Sequence, residues 1–242
     1  MKPYVDFQIK DKYAEIEFFH HEHNSMNLEL LGKLRNTIIE LSGNNNINSI
    51  ILKSHGDRTF CAGANINEFK NLNDIDQSKE FFSGFGNVIL AMKQSPKLII
   101  GRIQGKAVGG GVGLLSACDI AFGTNYSSIR LSELSIGIGP FVIAEAVIRK
   151  IGLASFSDMT LNPLKWKDAE WAKNHGLFSE IYDSINTLDE NLKEYIEELS
   201  SYSSEAITEN KKLLWHGTEN WKSLMEDRAE ISGRLVLQKK IL

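Results

Sequence analysis

Cysteine is nearly absent from this chain: only Cys61 and Cys118 occur, far apart and each inside an apolar motif, with no CxxC partner. A disulfide framework has no material here, and two buried free thiols are expected. Long apolar runs are also missing, since none approaches the roughly 18–20 residues that span a bilayer. The opening segment Met1-Lys2-Pro3-Tyr4-Val5-Asp6 carries no apolar signal-peptide core, so the expectation is a cytoplasmic protein without a membrane partner. Basic excess is lacking too: the net charge is −4, and Lys and Arg are scattered instead of striped, which argues against nucleic acid as a partner.

Cofactor motifs are incomplete. Gly101-Arg102-Ile103-Gln104-Gly105-Lys106-Ala107 is one residue too short for a Walker loop and has no Ser or Thr after the lysine. Gly109-x-Gly111 would need a further glycine where Leu114 stands, so the dinucleotide fingerprint fails. His20, His21 and His23 cluster with Glu22, yet no separated second ligand pair follows, and a solvated loop is expected there in place of a metal site. His55, His175 and His216 are isolated in polar surroundings and read as surface residues.

Strand and helix signals alternate through the first two thirds of the chain. Tyr13-Ala14-Glu15-Ile16-Glu17-Phe18 has near-period-two polarity and predicts one of two antiparallel strands within residues 4–19. Leu28, Leu31, Leu34, Ile38 and Leu41 recur at helical spacing behind a capping Asn27, and Gly43-Asn44-Asn45-Asn46 stops that helix. Apolar strands around 49–53 and 98–103 flank a helix near 78–94 that ends before Pro96. This order predicts an α/β core with parallel strands. From Ala144 onward the pattern is nearly all helical, over 144–151, 166–175 and amphipathic runs after Leu188 broken by Ser200-Ser201-Tyr202-Ser203-Ser204. Such a tail is expected to dock on the core or on another subunit.

Each apolar strand runs into a small-residue motif: Phe60-Cys61-Ala62-Gly63-Ala64-Asn65-Ile66 and Gly105-Lys106-Ala107-Val108-Gly109-Gly110-Gly111-Val112-Gly113. Ligands of parallel α/β sheets sit beyond the carboxyl ends of the strands, where both motifs fall. Two backbone N–H donors converging there would make an oxyanion hole, and glycines that merely permit close packing are the equal alternative on spacing alone. Glu133, between apolar neighbours and ahead of Gly139-Pro140, is the acid singled out. Partial burial would raise its pKa and suit it to proton transfer; an exposed carboxylate at a helix end is the alternative.

Four features taken in order give the chain its resemblance to the crotonase, or enoyl-CoA hydratase/isomerase, superfamily. Asn24-Ser25-Met26-Asn27 resembles the family's early loop, Phe60 to Ile66 its AGAD segment, Gly105 to Asp119 its glycine-rich helix start ending in ACD, and Leu131 to Pro140 its distal acid segment. Trp171 to Phe178 is similar to a late A-x-x-x-G-L segment, so the resemblance covers essentially the whole chain. It implies a spiral of ββα units over residues 1–187 and a C-terminal helical region, 188–242, used for assembly into a homotrimer or a dimer of trimers. It also implies that the N–H groups of Ala64 and Gly110 bind the thioester oxygen of an acyl-CoA, with Glu133 as acid/base. Ser25, Met26, Ala62, Asn65 and Ile66 would line the CoA path. No metal or redox cofactor is implied, coenzyme A being part of the substrate.

Two departures matter. Two-acid hydratases of the family carry a glutamate where this chain has Gly113, and the AGAD aspartate has become Asn65. Hydration then asks Glu133 to do the work of two acids, unless a substrate carboxylate or another residue such as Glu145 assists. Similarity of Gly109 to Leu114, Leu131 to Glu133 and Gly139-Pro140 to bacterial methylglutaconyl-CoA hydratases nevertheless implies enoyl-CoA hydration, with 3-methylglutaconyl-CoA among the substrates and branched-chain catabolism as the setting. Isomerisation by Glu133 alone stands second, and acyl-CoA binding without turnover third; thioester hydrolysis and decarboxylation also remain open. Phe69, Phe81, Phe82, Phe85 and Phe141 are candidates for the acyl pocket or the core.

Overall fold

In a computed structural model that describes residues 1–238, the alternating segment forms a hairpin of β1 (Tyr4–Lys10) and β2 (Tyr13–Phe19). Its period of two sends Ala14, Ile16 and Phe18 to one fully buried face. Helix α1 (Leu28–Ser42) follows, with the Asn27 side chain accepting from Leu30 N; its buried stripe is Leu30, Leu31, Leu34, Ile38 and Leu41, with Leu28 half-buried at the edge.

The chain then repeats one unit three times. A strand enters a large sheet, a short strand enters a small one, and helix returns. The first pass is β3 (Ser49–Ser54), β4 (Thr59–Cys61), α2 (Ile66–Lys70) and α3 (Ile75–Gln94). The second is β5 (Leu98–Ile103), β6 (Lys106–Val108) and α4 (Gly110–Ala117). The third is β7 (Ile120–Thr124), β8 (Ser128–Arg130), a 3-10 turn (Glu133–Ile136) and α5 (Ala144–Leu161), kinked at Gly152 with φ 75°. After β9 (Lys167–Asp168), α6 (Ala169–Asn174) and β10 (Glu180–Tyr182), the sheets are complete: six strands ordered β1-β2-β3-β5-β7-β10 and four ordered β4-β6-β8-β9. This is the expected spiral of ββα units.

The reading of residues after Ala144 as nearly all helical misses β9 and β10. Both are two or three residues long, too short to show a period. The helix expected over 144–151 continues to Leu161, and the one expected over 166–175 contracts to 169–174 because β9 takes its first turn.

The tail docks on the core. Helix α7 (Ile185–Ser200) lays Leu188, Leu192, Ile196 and Leu199 on Ile51, Ile100 and Phe122 of the large sheet, so its predicted amphipathic face covers strands that would otherwise be open. Helix α9 (Trp221–Gln238) packs along α3. The last four residues of the expected helical region lie outside the described residues. Between these helices, α8 (Ser204–Leu214) is tied down by Asp119, the last residue of the ACD run. Asp119 Oδ2 accepts from Ile99 N at 2.7 Å and pairs with Lys211 Nζ at 3.0 Å, while Oδ1 accepts from Trp215 Nε1 at 2.6 Å. Lys211 also donates to the carbonyls of Met92 and Lys97. Both charged side chains are at most 3% exposed, so each depends on the other for solvation.

Removing one member strands the other in the interior. Lys211→Met or Asp119→Asn is therefore expected to cost about 3–5 kcal/mol, and the double replacement less than the sum, measured by denaturant titration as a double-mutant cycle.

Candidate active site

The first small-residue motif is placed by the early loop. Asn24, at φ 56°, accepts from His20 N and donates through Nδ2 to the carbonyls of His55 and Thr59, pinning the loop to the end of β3 and the start of β4. Met26 then bridges Ala64: Met26 N donates to Gly63 O at 2.8 Å, and Asn65 N donates to Met26 O at 2.9 Å. A parallel bridge of this kind turns the N–H of the middle residue, Ala64, the other way. Among the described residues it meets no acceptor.

The second motif meets the first backbone to backbone. Gly63 has φ +85°, and a Cβ there would lie 2.7 Å from Val108 O and 3.2 Å from Gly110 N. Gly109, at φ +53°, turns β6 into α4, leaving Gly110 as the first residue of the helix. Its N–H is one of the donors a helix cannot satisfy internally, and the helix dipole adds positive potential there. Like Ala64 N, it has no acceptor among the described residues. The glycines thus do both things that spacing left open: they permit close packing and they present donors.

Glu133 opens the 3-10 turn after β8, with its carboxylate against Gly109, where an added Cβ would stand 2.8 Å from Oε1. The residue keeps some exposed surface, but Oε2 is enclosed and has no hydrogen-bond partner. Burial pushes its pKa up to about 7, only partly offset by the backbone N–H groups of Glu133 and Ser132. This is the buried-acid alternative, not the exposed one.

Ala64, Gly110 and Glu133 line one pocket of about 620 Å³ including its mouth. Ala62 is on its wall, and Ile66, 48% exposed, also lines it. Phe69, Phe82, Phe85 and Phe141 line it as well, whereas Phe81 is a core residue at 1% exposure. Among the described residues Glu133 is the one ionisable side chain in the lining; the other polar side chains are Ser132 and Ser232, the latter from α9. Ser232, a hundred residues away, carried no sequence signal.

The remaining candidates stand elsewhere. Met26 is wholly buried, and Ser25 and Asn65 are nearly so; none of the three lines this pocket. Asn65 caps α2, accepting from the N–H groups of Asn67 and Glu68, and donates through Nδ2 to Glu22 Oε2 at 2.6 Å and Ser25 Oγ at 2.9 Å. An aspartate there would oppose the Glu22 carboxylate, so the departure from AGAD is matched locally. Glu145 forms an ion pair with Arg228 at 2.6 Å and does not line the pocket.

The histidine loop is not simply solvated. His20 is buried, with its Nδ1 accepting from Glu22 N at 3.1 Å, and desolvation holds its pKa down. His20, His21 and Glu22 bring ligand atoms within 4.8 Å, yet both Glu22 oxygens hold Asn65 and Asn67 amides, a structural use of the acid. His175 is half-buried and stacked on Trp171. Cys61 and Cys118 are buried free thiols, as expected, and burial pushes both up to about 12.

Residues 8–232 match the enoyl-CoA hydratase/isomerase family. A peroxisomal Delta(3,5)-Delta(2,4)-dienoyl-CoA isomerase of Arabidopsis thaliana is 25% identical over 237 residues, 90% of this chain and 84% of that protein. A short-chain-enoyl-CoA hydratase of Clostridium acetobutylicum is 26% identical over 198 residues, 81% and 74% of the two chains. The crystal structure of an enoyl-CoA hydratase from Bacillus halodurans superposes with a TM-score of 0.89 at 26% identity, covering 96% of this chain and 95% of that one. Match, superposition and site geometry agree, and the chain belongs to the enoyl-CoA hydratase/isomerase family of the crotonase superfamily.

Proposed function

We propose that this protein is an enoyl-CoA isomerase that moves the double bond of an uncharged enoyl thioester with Glu133 as its sole acid/base. The observation that carries this is the lone carboxylate: among the described residues Glu133 is the only ionisable group in a pocket whose other polar side chains are Ser132 and Ser232, and its Oε2 is enclosed without a partner. The thioester oxygen accepts from Ala64 N and Gly110 N. Glu133 takes a proton from the α carbon of a 3-enoyl thioester, the electron pair passes into a dienolate whose charge rests on the thioester oxygen, and the same carboxyl returns the proton at the γ carbon as the double bond moves to the 2,3 position. One base suffices because nothing is gained or lost. Each prepositioned donor is worth about 3 kcal/mol on the enolate.

Hydration, the activity expected from sequence, is the second candidate, favoured by the hydroxyls of Ser132 and Ser232 in the lining, which can hold a water. It asks Glu133 both to activate that water and to manage the α proton, since Glu145 is engaged by Arg228. Among the described residues the lining also offers no cation for a second carboxylate, which favours a neutral acyl chain over 3-methylglutaconyl. The CoA moiety leaves past Ala62 and Ile66, with Ser25, Met26 and Asn65 holding that wall from behind. Assembly as a homotrimer or dimer of trimers is supported by the exposure of Leu153, Leu161 and Leu164 on and beyond α5. Among the described residues no helix is long and apolar enough to cross a membrane, which is compatible with a cytoplasmic place.

Incubation with 3-enoyl-CoA, 2-enoyl-CoA and 3-methylglutaconyl-CoA in deuterated water, read by mass and NMR, is expected to show double-bond migration without gain of water. Net hydration would overturn the assignment, and inertness toward all three would move it to binding alone. Glu133→Gln is expected to lower kcat/KM by about 10³-fold while thioester affinity changes little, because one positioned acid/base contributes on that order. The base must be ionised in the free enzyme, so kcat/KM is expected to rise with pH through about 7 and level off above it.

A further inference from the structure

We propose that Ile143 is the specificity-determining residue that confines the reaction to proton transfer within the substrate, because it fills the space a side chain at position 113 would need and keeps that end of the chamber dry. The inference rests on the isomerase assignment above. Gly113 lies three residues after Gly110 on α4, so the two share a face of the helix. A side chain at 113 would therefore be on the same side as the Gly110 donor. Its Cβ would fall 2.4 Å from Ile143 Cγ2 and 2.6 Å from Ile143 Cβ. The second contact decides the matter: Cβ moves only with the backbone, so no rotamer of Ile143 makes room.

Ile143 is 4% exposed, lines the pocket, and is held in place as the residue that precedes the first turn of α5. Val147 N donates to its carbonyl at 3.2 Å. A carboxylate at 113 and any residue other than glycine at 143 are thus mutually exclusive in this backbone. With isoleucine present, this part of the lining is hydrocarbon. The proton that Glu133 removes meets no polar side chain on Ile143 or its lining neighbours Phe141 and Val142 that would hold a water for exchange, so it returns to the substrate. With a second carboxylate and a water in that space, one carboxylate would take a proton from water as its oxygen bonds the β carbon, and the other would give a proton to the α carbon.

The test compares wild type, Ile143→Gly, Gly113→Glu and the double variant, each checked for fold by circular dichroism. Products are read as the ratio of hydration to isomerisation, which does not depend on absolute activity. The double variant is expected to raise that ratio by about 10²-fold, the lower end of what one added acid/base supplies, with Gly113→Glu alone failing to do so. A folded double variant whose ratio equals that of wild type, or a folded Gly113→Glu that hydrates by itself, overturns the proposal. Should the double variant not fold, deuterium uptake from solvent during isomerisation decides: Ile143→Gly is expected to raise it several-fold over wild type, and unchanged uptake overturns the proposal. Wild type that hydrates instead of isomerising would refute the assignment of function and not the steric exclusion, which the Gly113→Glu arm reads separately.

Discussion

Two loops from different turns of the spiral touch through their main chains, and the pocket exists because they do. The contact between Gly63 and the Val108–Gly110 segment leaves no room for a Cβ. It fixes the relative position of two N–H groups by covalent geometry instead of by side-chain rotamers. Donors held this way lose no conformational freedom when charge develops on a bound oxygen, which is where preorganised dipoles contribute most. Each donor is also kept free by a specific device: the Met26 bridge takes the Gly63 carbonyl and the Asn65 N–H, on either side of Ala64, and leaves Ala64's own N–H facing away from it, while the start of α4 leaves Gly110 N without an acceptor among the described residues.

Holding that contact requires the spiral itself. Each pass places one strand in the six-stranded sheet and one in the four-stranded sheet, so β4 and β6 lie side by side and deliver their following turns to the same end. The C-terminal helices close the arrangement from outside. Asp119 joins the end of α4 to α8 through Lys211 and Trp215, while Arg228 of α9 reaches Glu145 and the Phe141 carbonyl, tying the outer helix to the turn that walls the pocket. Lys211 shows why the tail docks here: with its ammonium nearly inaccessible to water, it is solvated by Asp119 and two backbone carbonyls of the core.

Much of this was legible in the sequence wherever a short-range physical signal existed. The leucine stripe and Asn27 cap of α1, the apolar strands β3 and β5, and the two small-residue turns each carry their pattern within a few residues. Strands β4, β6, β8, β9 and β10 do not, because two or three residues in a sheet have no period to read. Glu133 could be picked out by its apolar flanks, but its burial depends on Gly109 approaching from another element. Glu145 was legible only as an assistant to Glu133, and the partner that claims it, Arg228, lies more than eighty residues away. The Gly113–Ile143 contact was invisible for the same reason: each residue is unremarkable alone, and only the packing of α4 on α5 sets them against one another.

The two positions at which the family resemblance implies an acid and this chain has none are treated differently, and the difference follows from where charge can be tolerated. At Asn65 the amide keeps the capping oxygen that α2 needs and uses its nitrogen to hold Glu22, so a carboxylate is still present nearby, half-buried and satisfied by two amides. At Gly113 no polar group replaces the acid, and the space goes to a hydrocarbon side chain. A second carboxylate near Glu133, with no cation in the lining among the described residues, would repel it and raise one or both pKa values further. A single acid already shifted to about 7 is poised both to accept and to return a proton near neutrality, which a shuttle requires and a fixed charge does not provide. The lack of an acid at 113 and the filling of its place by Ile143 go together, and among the described residues Glu133 is left as the one ionisable group in the lining.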